Sequence, residues 1–272
     1  MDGVVLREDV EVDGGIILKV TINRPEKLNA LNAEVVSNLK EVCTMIEQRS
    51  EVRCVVFTGA QPPPAEEGKR SKPNAFVAGA DISEFVGKKS QDIRESFADN
   101  AWEAIWNLSK PTIAMIDGFA LGGGLEVACS CDIRIASERS KFATPEINLG
   151  LIPGGGGTQR LVHLIGYGKT MEMVMTGEMI GAEEAHQIGL INHISSIEEL
   201  EAKTMSIAQK IVSKSSSTME IAKKAVRAAL DNPLTVGVGI EAEEFALLFD
   251  TEDKEIGVSS FLSREKPEWK HR

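Results

Sequence analysis

Short apolar runs and apolar stripes at helical spacing alternate along the first two thirds of the chain. Residues 16–22 form a strand-like run that Asn23, Arg24 and Pro25 break. Asn32 then offers an N-cap for a helix whose apolar stripe is Val35, Leu39, Val42 and Ile46. Residues 54–57 read as a short buried strand closed by Thr58 and Gly59. Ile93, Phe97, Ala101 and Ile105 predict a further helix, with Trp102 and Trp106 beside the stripe as packing residues. Residues 112–116 and 133–136 are the next strands. Strands alternating with helices predict an α/β architecture. Beyond Leu190 the pattern changes to alanine-rich helical segments at 200–212, 217–230 and 241–249, with Asn232-Pro233 as a clear break. The expected organisation is a core over residues 1–190 and a helical region over 191–272.

Polar chemistry concentrates between Asp117 and Arg160. Phe119, Ala120 and Leu121 lead into Gly122, Gly123 and Gly124, and Glu126 follows where a helix should begin. A second glutamate, Glu146, precedes a glycine run from Gly154 to Gly157. A carboxylate beside the free N–H groups of a helix start, with another on a later glycine-bounded turn, suits proton transfer.

Composition narrows the alternatives. The 272 residues can bury a full core, and the formal charge of −11 argues against nucleic acid as the main partner. Cys43, Cys54, Cys129 and Cys131 lack the spacing of a zinc site or a disulfide scaffold and read as buried thiols. His163, His186, His193 and His271 are scattered, so no metal site is expected. The acidic start carries no long apolar run and no stretch approaches a membrane span, so a soluble, cytoplasmic protein is expected. Gly168-Lys169-Thr170 resembles the end of a phosphate loop, but His163 stands where a glycine is needed. No serine occupies a nucleophile elbow.

Four strings in order, NRPEKLNALN (23–32), AGADISEF (78–85), IDGFALGGGLEVACSCDIRIA (116–136) and FATPEINLGLIPGGGGTQRL (142–161), resemble the enoyl-CoA hydratase/isomerase (crotonase) superfamily. The likeness is greatest to its short-chain enoyl-CoA hydratases. The resemblance implies a crotonase-like spiral of repeated ββα units with a C-terminal helical oligomerisation region, assembled as a homotrimer or a dimer of trimers. It implies that Glu126 activates water while Glu146 exchanges a proton with the α-carbon of the substrate. The backbone N–H groups of Ala80 and Gly123 would hold the thioester oxygen. Lys27, Leu28 and Ala30 would border the CoA groove, Phe261 or Lys266 would reach it from a neighbouring subunit, and Ala78, Asp81, Ile82, Phe85, Leu121 and Gly154 would line the substrate. The glycines at 154–157 would let the turn after Glu146 pack against the acyl pocket.

The expected reaction is reversible hydration of short 2-trans-enoyl-CoA, best at the four-carbon crotonyl chain, with acyl-CoA as substrate and no cofactor. Dehydration of a 3-hydroxyacyl-CoA such as 3-hydroxypropionyl-CoA uses the same site in reverse. Δ3-Δ2 isomerisation adds no water, and a non-enzymatic binding protein would be expected to lose a carboxylate; retention of both glutamates favours hydration. One segment departs from the family. QPPPAEEGKRSKPN, 61–74, fills a junction that is usually short and reads as an exposed, solvated insertion; the alternative is that its Lys69, Arg70 and Lys72 lie near the CoA phosphates.

Overall fold

A computed structural model describes residues 3–64, 72–98 and 100–272. Two sheets organise it. The chain opens with an antiparallel hairpin, β1 (Val5–Val12) and β2 (Gly15–Ile22). The residues of β1 are mostly half-buried or exposed, so the strand carries no strong apolar signal and is fixed by its pairing with β2. After β2 comes α1 (Ala33–Gln48), capped as expected: the Asn32 side chain accepts from the Val35 N–H at 3.0 Å. Val35, Leu39, Val42 and Ile46 are all buried on the core side.

From there the chain repeats one pattern. β3 (Val52–Gly59) and β4 (Ala75–Val77) are followed by α2 (Ser90–Phe97) and α3 (Ala101–Trp106). Next, β5 (Thr112–Ile116) and β6 (Phe119–Leu121) lead into α4 (Gly123–Ser130). β7 (Ile133–Ser137) and β8 (Lys141–Ala143) lead into α5 (Gly157–Thr176). In each repeat the first strand joins one sheet and the second strand joins another. The repeats pair in parallel, β3 with β5 and β5 with β7 in the first sheet, β4 with β6 and β6 with β8 in the second. With β9 (Ile180–Gly181), α6 (Ala182–Gln187) and β10 (His193–Ser195), the sheets have the orders β1-β2-β3-β5-β7-β10 and β4-β6-β8-β9. This is the coil of ββα units that the motifs led us to expect. The large fully buried side chains Phe57, Phe76 and Phe142 fill its interior.

The stripe from Ile93 to Ile105 is not one helix. Asn100 ends the run by capping α3, its side chain accepting from the Glu103 N–H at 2.9 Å, and only the Ala101, Trp102 and Ile105 end is buried. A polar residue able to satisfy a helix-start amide wins over the continuing apolar spacing.

Past Leu190 the chain still contributes to the core. β10 pairs with β7, and α7 (Leu200–Val212) lays Leu200, Ala208 and Val212 against Ile17, Cys54 and Ile113 on the first sheet. α8 (Ser216–Asp231), α9 (Leu234–Leu247) and α10 (Glu252–Ser263) follow. In α9 only Glu244 is buried, in an ion pair with Lys224 at 2.5 Å. The closing residues fold back over α10, where the buried Asp253 carboxylate accepts from the Lys270 and His271 N–H groups. No helix among the described residues is long and apolar enough to cross a membrane.

Candidate active site

The site forms where the second strands of successive repeats end and their helices begin. Gly122 caps α4, and its N–H donates to the Ala143 carbonyl at 2.9 Å, tying that turn to β8. A side chain on Gly124 would place its Cβ 2.0 Å from the Val77 carbonyl, so only glycine lets α4 pack this close to β4. The consequence is that backbone, not side chain, faces the space between the two strand ends.

Two amides converge there. Ala80 follows β4, and Leu31 bridges it in parallel, with Leu31 N–H donating to Gly79 O and Asp81 N–H donating to Leu31 O, both at 2.8 Å. These bonds satisfy the neighbours of Ala80 and leave its own N–H unused among the described residues. Gly123, the first residue of α4, lies so near that a Cβ built on it would be 3.7 Å from the Ala80 nitrogen. Its N–H belongs to the helix-start set without an intrahelical acceptor. Its carbonyl accepts from the Trp102 indole N–H at 2.9 Å, which fixes the peptide from behind.

Both glutamates border these amides. Glu126 is 3% exposed, on the first turn of α4. Its Oε1 accepts two backbone bonds, from Gly155 N–H at 2.7 Å and Gly157 N–H at 2.8 Å. Burial raises its carboxyl above the ordinary range, while the Gly157 and Gly155 donors and the charge of Arg160 pull the other way. Glu146 lies on a short 3-10 helix, Pro145–Leu149, with its Oε1 against Gly122: a Cβ there would come within 2.8 Å. Its Oε2 is buried and has no hydrogen-bond partner. Burial pushes the Glu146 carboxyl up to about 7, and the nearby Glu126 charge adds to the rise. The two carboxyls, close enough for one charge to act on the other, therefore sit in different settings, one with two donors on its Oε1 and one with a buried oxygen that has no partner. That contrast separates a proton acceptor from a proton donor near neutrality.

The remaining residues expected at the site are spread over several segments. Lys27, Leu28 and Ala30 lie on a turn that runs beside Ala78 and Asp81. Leu28 and Asn29 adopt the left-handed conformation, with φ of 53° and 58°. Ala78 N–H donates to Leu28 O at 3.0 Å, and Arg24 binds both Ala30 O at 2.6 Å and Asp81 Oδ2 at 3.0 Å. The turn hangs on buried Asn29, whose side-chain amide donates to Ala75 O at 2.7 Å and Ala60 O at 3.0 Å. Leu121 ends β6 just before the glycines, and Gly154 packs under the Phe97 ring. Ile82 and Phe85 bound a short 3-10 helix at the rim, with Ile82 exposed and Phe85 half-buried. Lys69 and Arg70 lie outside the described residues. Lys72 donates to Glu26 O at 3.2 Å, next to Lys27. Lys266 pairs with Asp13 of its own chain at 2.7 Å, and Phe261 is exposed.

The structure adds residues that sequence patterns did not single out. Among the 154–157 glycines, Gly155 and Gly157 point amides at Glu126 in addition to packing near it. Trp102 is a packing residue, stacked on Phe97 with centroids 5.5 Å apart, and also a donor to Gly123. Arg160 fixes the glycine loop from outside. The requirement that a buried carboxylate find donors is the one sequence-level cue to the loop amides.

The sequence matches the enoyl-CoA hydratase/isomerase family over residues 13–272. A short-chain-enoyl-CoA hydratase of Clostridium acetobutylicum is 40% identical over 256 residues, 93% of this chain and 94% of that protein. A crotonyl-CoA hydratase of Syntrophomonas wolfei is 37% identical over 247 residues, 90% of this chain and 91% of that one. The crystal structure of an enoyl-CoA hydratase from Bacillus anthracis superposes with a TM-score of 0.88 at 31% identity, covering 99% of this chain and 100% of that chain.

Proposed function

Since the chain belongs to the enoyl-CoA hydratase/isomerase family, we propose that it hydrates short-chain 2-trans-enoyl-CoA reversibly, using Glu126, Glu146 and the Ala80 and Gly123 amides. In the forward direction Glu126 takes a proton from water, and the water oxygen bonds to the β-carbon. The displaced π electrons move into the thioester oxygen, which the two amides receive as donors. Glu146 gives its proton to the α-carbon as the carbonyl re-forms. Dehydration of a 3-hydroxyacyl-CoA runs the same bonds backward. The chemistry consists of proton transfers that these carboxyls supply, so the proposal includes no cofactor.

The observation that carries this reading is the unpartnered Glu146 Oε2, with its carboxyl pushed up to about 7, beside a donor-bound Glu126. Isomerisation needs no water-activating group, so retention of Glu126, with two amides holding its Oε1, favours hydration. The CoA moiety is assigned to the edge formed by Lys27, Leu28 and Ala30, and Ala78, Asp81, Ile82, Phe85, Leu121 and Gly154 to the substrate wall. The relatives' printed names accord with a four-carbon acyl preference. A homotrimer or dimer of trimers, built largely by the last helices, and a cytoplasmic location complete the proposal. The direct test is loss of enoyl-thioester absorbance when purified protein meets crotonyl-CoA; absence of turnover at high protein concentration would refute it.

A further inference from the structure

Arg160 does not touch the pocket, yet it is bound to the loop that holds Glu126. Its Nη1 donates to Gly155 O at 2.7 Å, and its Nη2 donates to Glu103 Oε1 at 2.6 Å. The guanidinium lies over the Trp106 ring, 4.9 Å from the centroid, and its side chain is only 10% exposed. The Gly155 carbonyl belongs to the peptide between residues 155 and 156. That peptide lies between the two whose N–H groups donate to Glu126 Oε1. Pulling its carbonyl outward toward Arg160 turns the flanking amides inward. Gly156 makes the turn possible, with φ of 99°, and a Cβ there would come within 2.2 Å of Arg160 Nη1.

We infer that Arg160 is a positioning residue for Glu126, holding the Gly155–Gly157 amides in register with the carboxylate through the Gly155 carbonyl. The inference rests on the hydratase reading for its kinetic meaning but not for its geometry. Three anchors fix the guanidinium: the Gly155 carbonyl, the Glu103 carboxylate from α3, and the Trp106 face. A charge-assisted bond to a carbonyl is stronger and more directional than a neutral one. The charged and titratable groups around Glu126 are few. Glu146 faces it from the 3-10 helix, Arg160 from α5, and buried Cys129 from its own helix. Arg160 is the one cation among these three, so its loss is felt by Glu126 twice, as charge and as loop geometry. Both losses disfavour the ionised form of Glu126.

The test compares Arg160→Met with Arg227→Met. Arg227 also stacks on Trp106, 3.9 Å from its centroid, but it bonds the Trp106 carbonyl and Asp132, not the glycine loop. For Arg160→Met we expect kcat on crotonyl-CoA to fall ~10–100-fold, as for a displaced reacting group, with KM little changed. The acidic limb of the kcat/KM profile should move to higher pH while the basic limb stays. The Gly155 and Gly157 amide proton resonances, which sense Glu126 ionisation without turnover, should titrate at higher pH as well. Arg227→Met should leave that limb and those resonances in place. Should Arg160→Met fail to fold, Arg160→Lys carries the same test: it keeps the cation but cannot bridge the Gly155 carbonyl and Glu103 as the guanidinium fork does, so a smaller shift in the same direction is expected. An unmoved acidic limb and unmoved amide titration would make Arg160 a packing residue only. An equal shift in Arg227→Met would move the effect to Trp106. If the parent protein does not hydrate crotonyl-CoA, the functional reading fails, and the amide titration still decides the role of Arg160.

Discussion

At the scale of single residues, Glu146 couples chemistry to stability. Burial pushes its folded-state carboxyl up to about 7, from the 4.5 of an exposed glutamate. Between those values the native protein binds more protons at this position than the unfolded chain, so this group lowers stability as pH rises. Glu146→Gln removes the penalty. It should raise the thermal midpoint at pH 8 relative to the parent and leave it nearly unchanged near pH 4, as read by calorimetry at both values. Turnover should meanwhile fall by ~10²–10⁴-fold, the usual cost of losing a general acid. Near-parental turnover would show that the α-carbon proton comes from elsewhere. Glu126→Gln should also abolish most turnover, and the double variant should lose less than the product of the two, because the pair acts as a unit. Asp117 illustrates the opposite tendency. Burial would raise its carboxyl, but donors from Arg139, Gln61, Asn74 and Ser137 outweigh it and hold the group well below the usual carboxylate range.

Among the elements, α4 is the most demanding. Gly124→Ala would drive a Cβ toward the Val77 carbonyl, backbone against backbone, with nothing flexible to move. A cost of about 3 kcal/mol or more is expected by denaturant titration, at the upper end of overpacking. Gly168, inside α5, faces open space and has no left-handed backbone, so Gly168→Ala should stabilise by ~0.4–1 kcal/mol. How much of this was legible differs from element to element. The inner strands β2, β3, β5 and β7 of the first sheet and the stripe of α1 could be read because continuous burial and helical spacing leave direct traces, whereas β1 and β10 carry no such run. β6 and β8 are only three residues each and are defined by pairing, so their sequences look like approaches to a turn. The two glutamates stood out because carboxylates amid apolar and glycine residues are conspicuous. Gly155, Gly157 and Arg160 act through main-chain groups, and a backbone amide has no letter of its own in the sequence.

For the whole molecule, the last helices leave a large apolar surface uncovered. Leu234, Val236, Val238, Phe245 and Leu247 of α9 are exposed, as are Val258, Phe261 and Leu262 of α10, with Leu234 at 83% and Phe261 at 84%. Leu151, Ile152, Tyr167 and Met175 are exposed around the end of the site and α5. So much apolar surface suits association between copies. Light scattering at micromolar concentration should give three or six chains, and removal of residues after Pro233 should cost solubility together with activity; a monodisperse monomer would contradict the assembly. The two amides proposed as oxyanion donors carry a different consequence. Ala80 and Gly123 belong to neighbouring turns of the coil, so the gap between their amides is set by the pitch of that coil. Neither residue's own side chain forms it, although the Trp102 indole steadies the Gly123 peptide from behind. Replacing the Ala80 side chain leaves the donor in place, and the reacting carboxylates come from other positions. A scaffold of this kind can keep its grip on a thioester while the acids around it are exchanged, which separates the evolution of its reaction from that of its hold on the substrate.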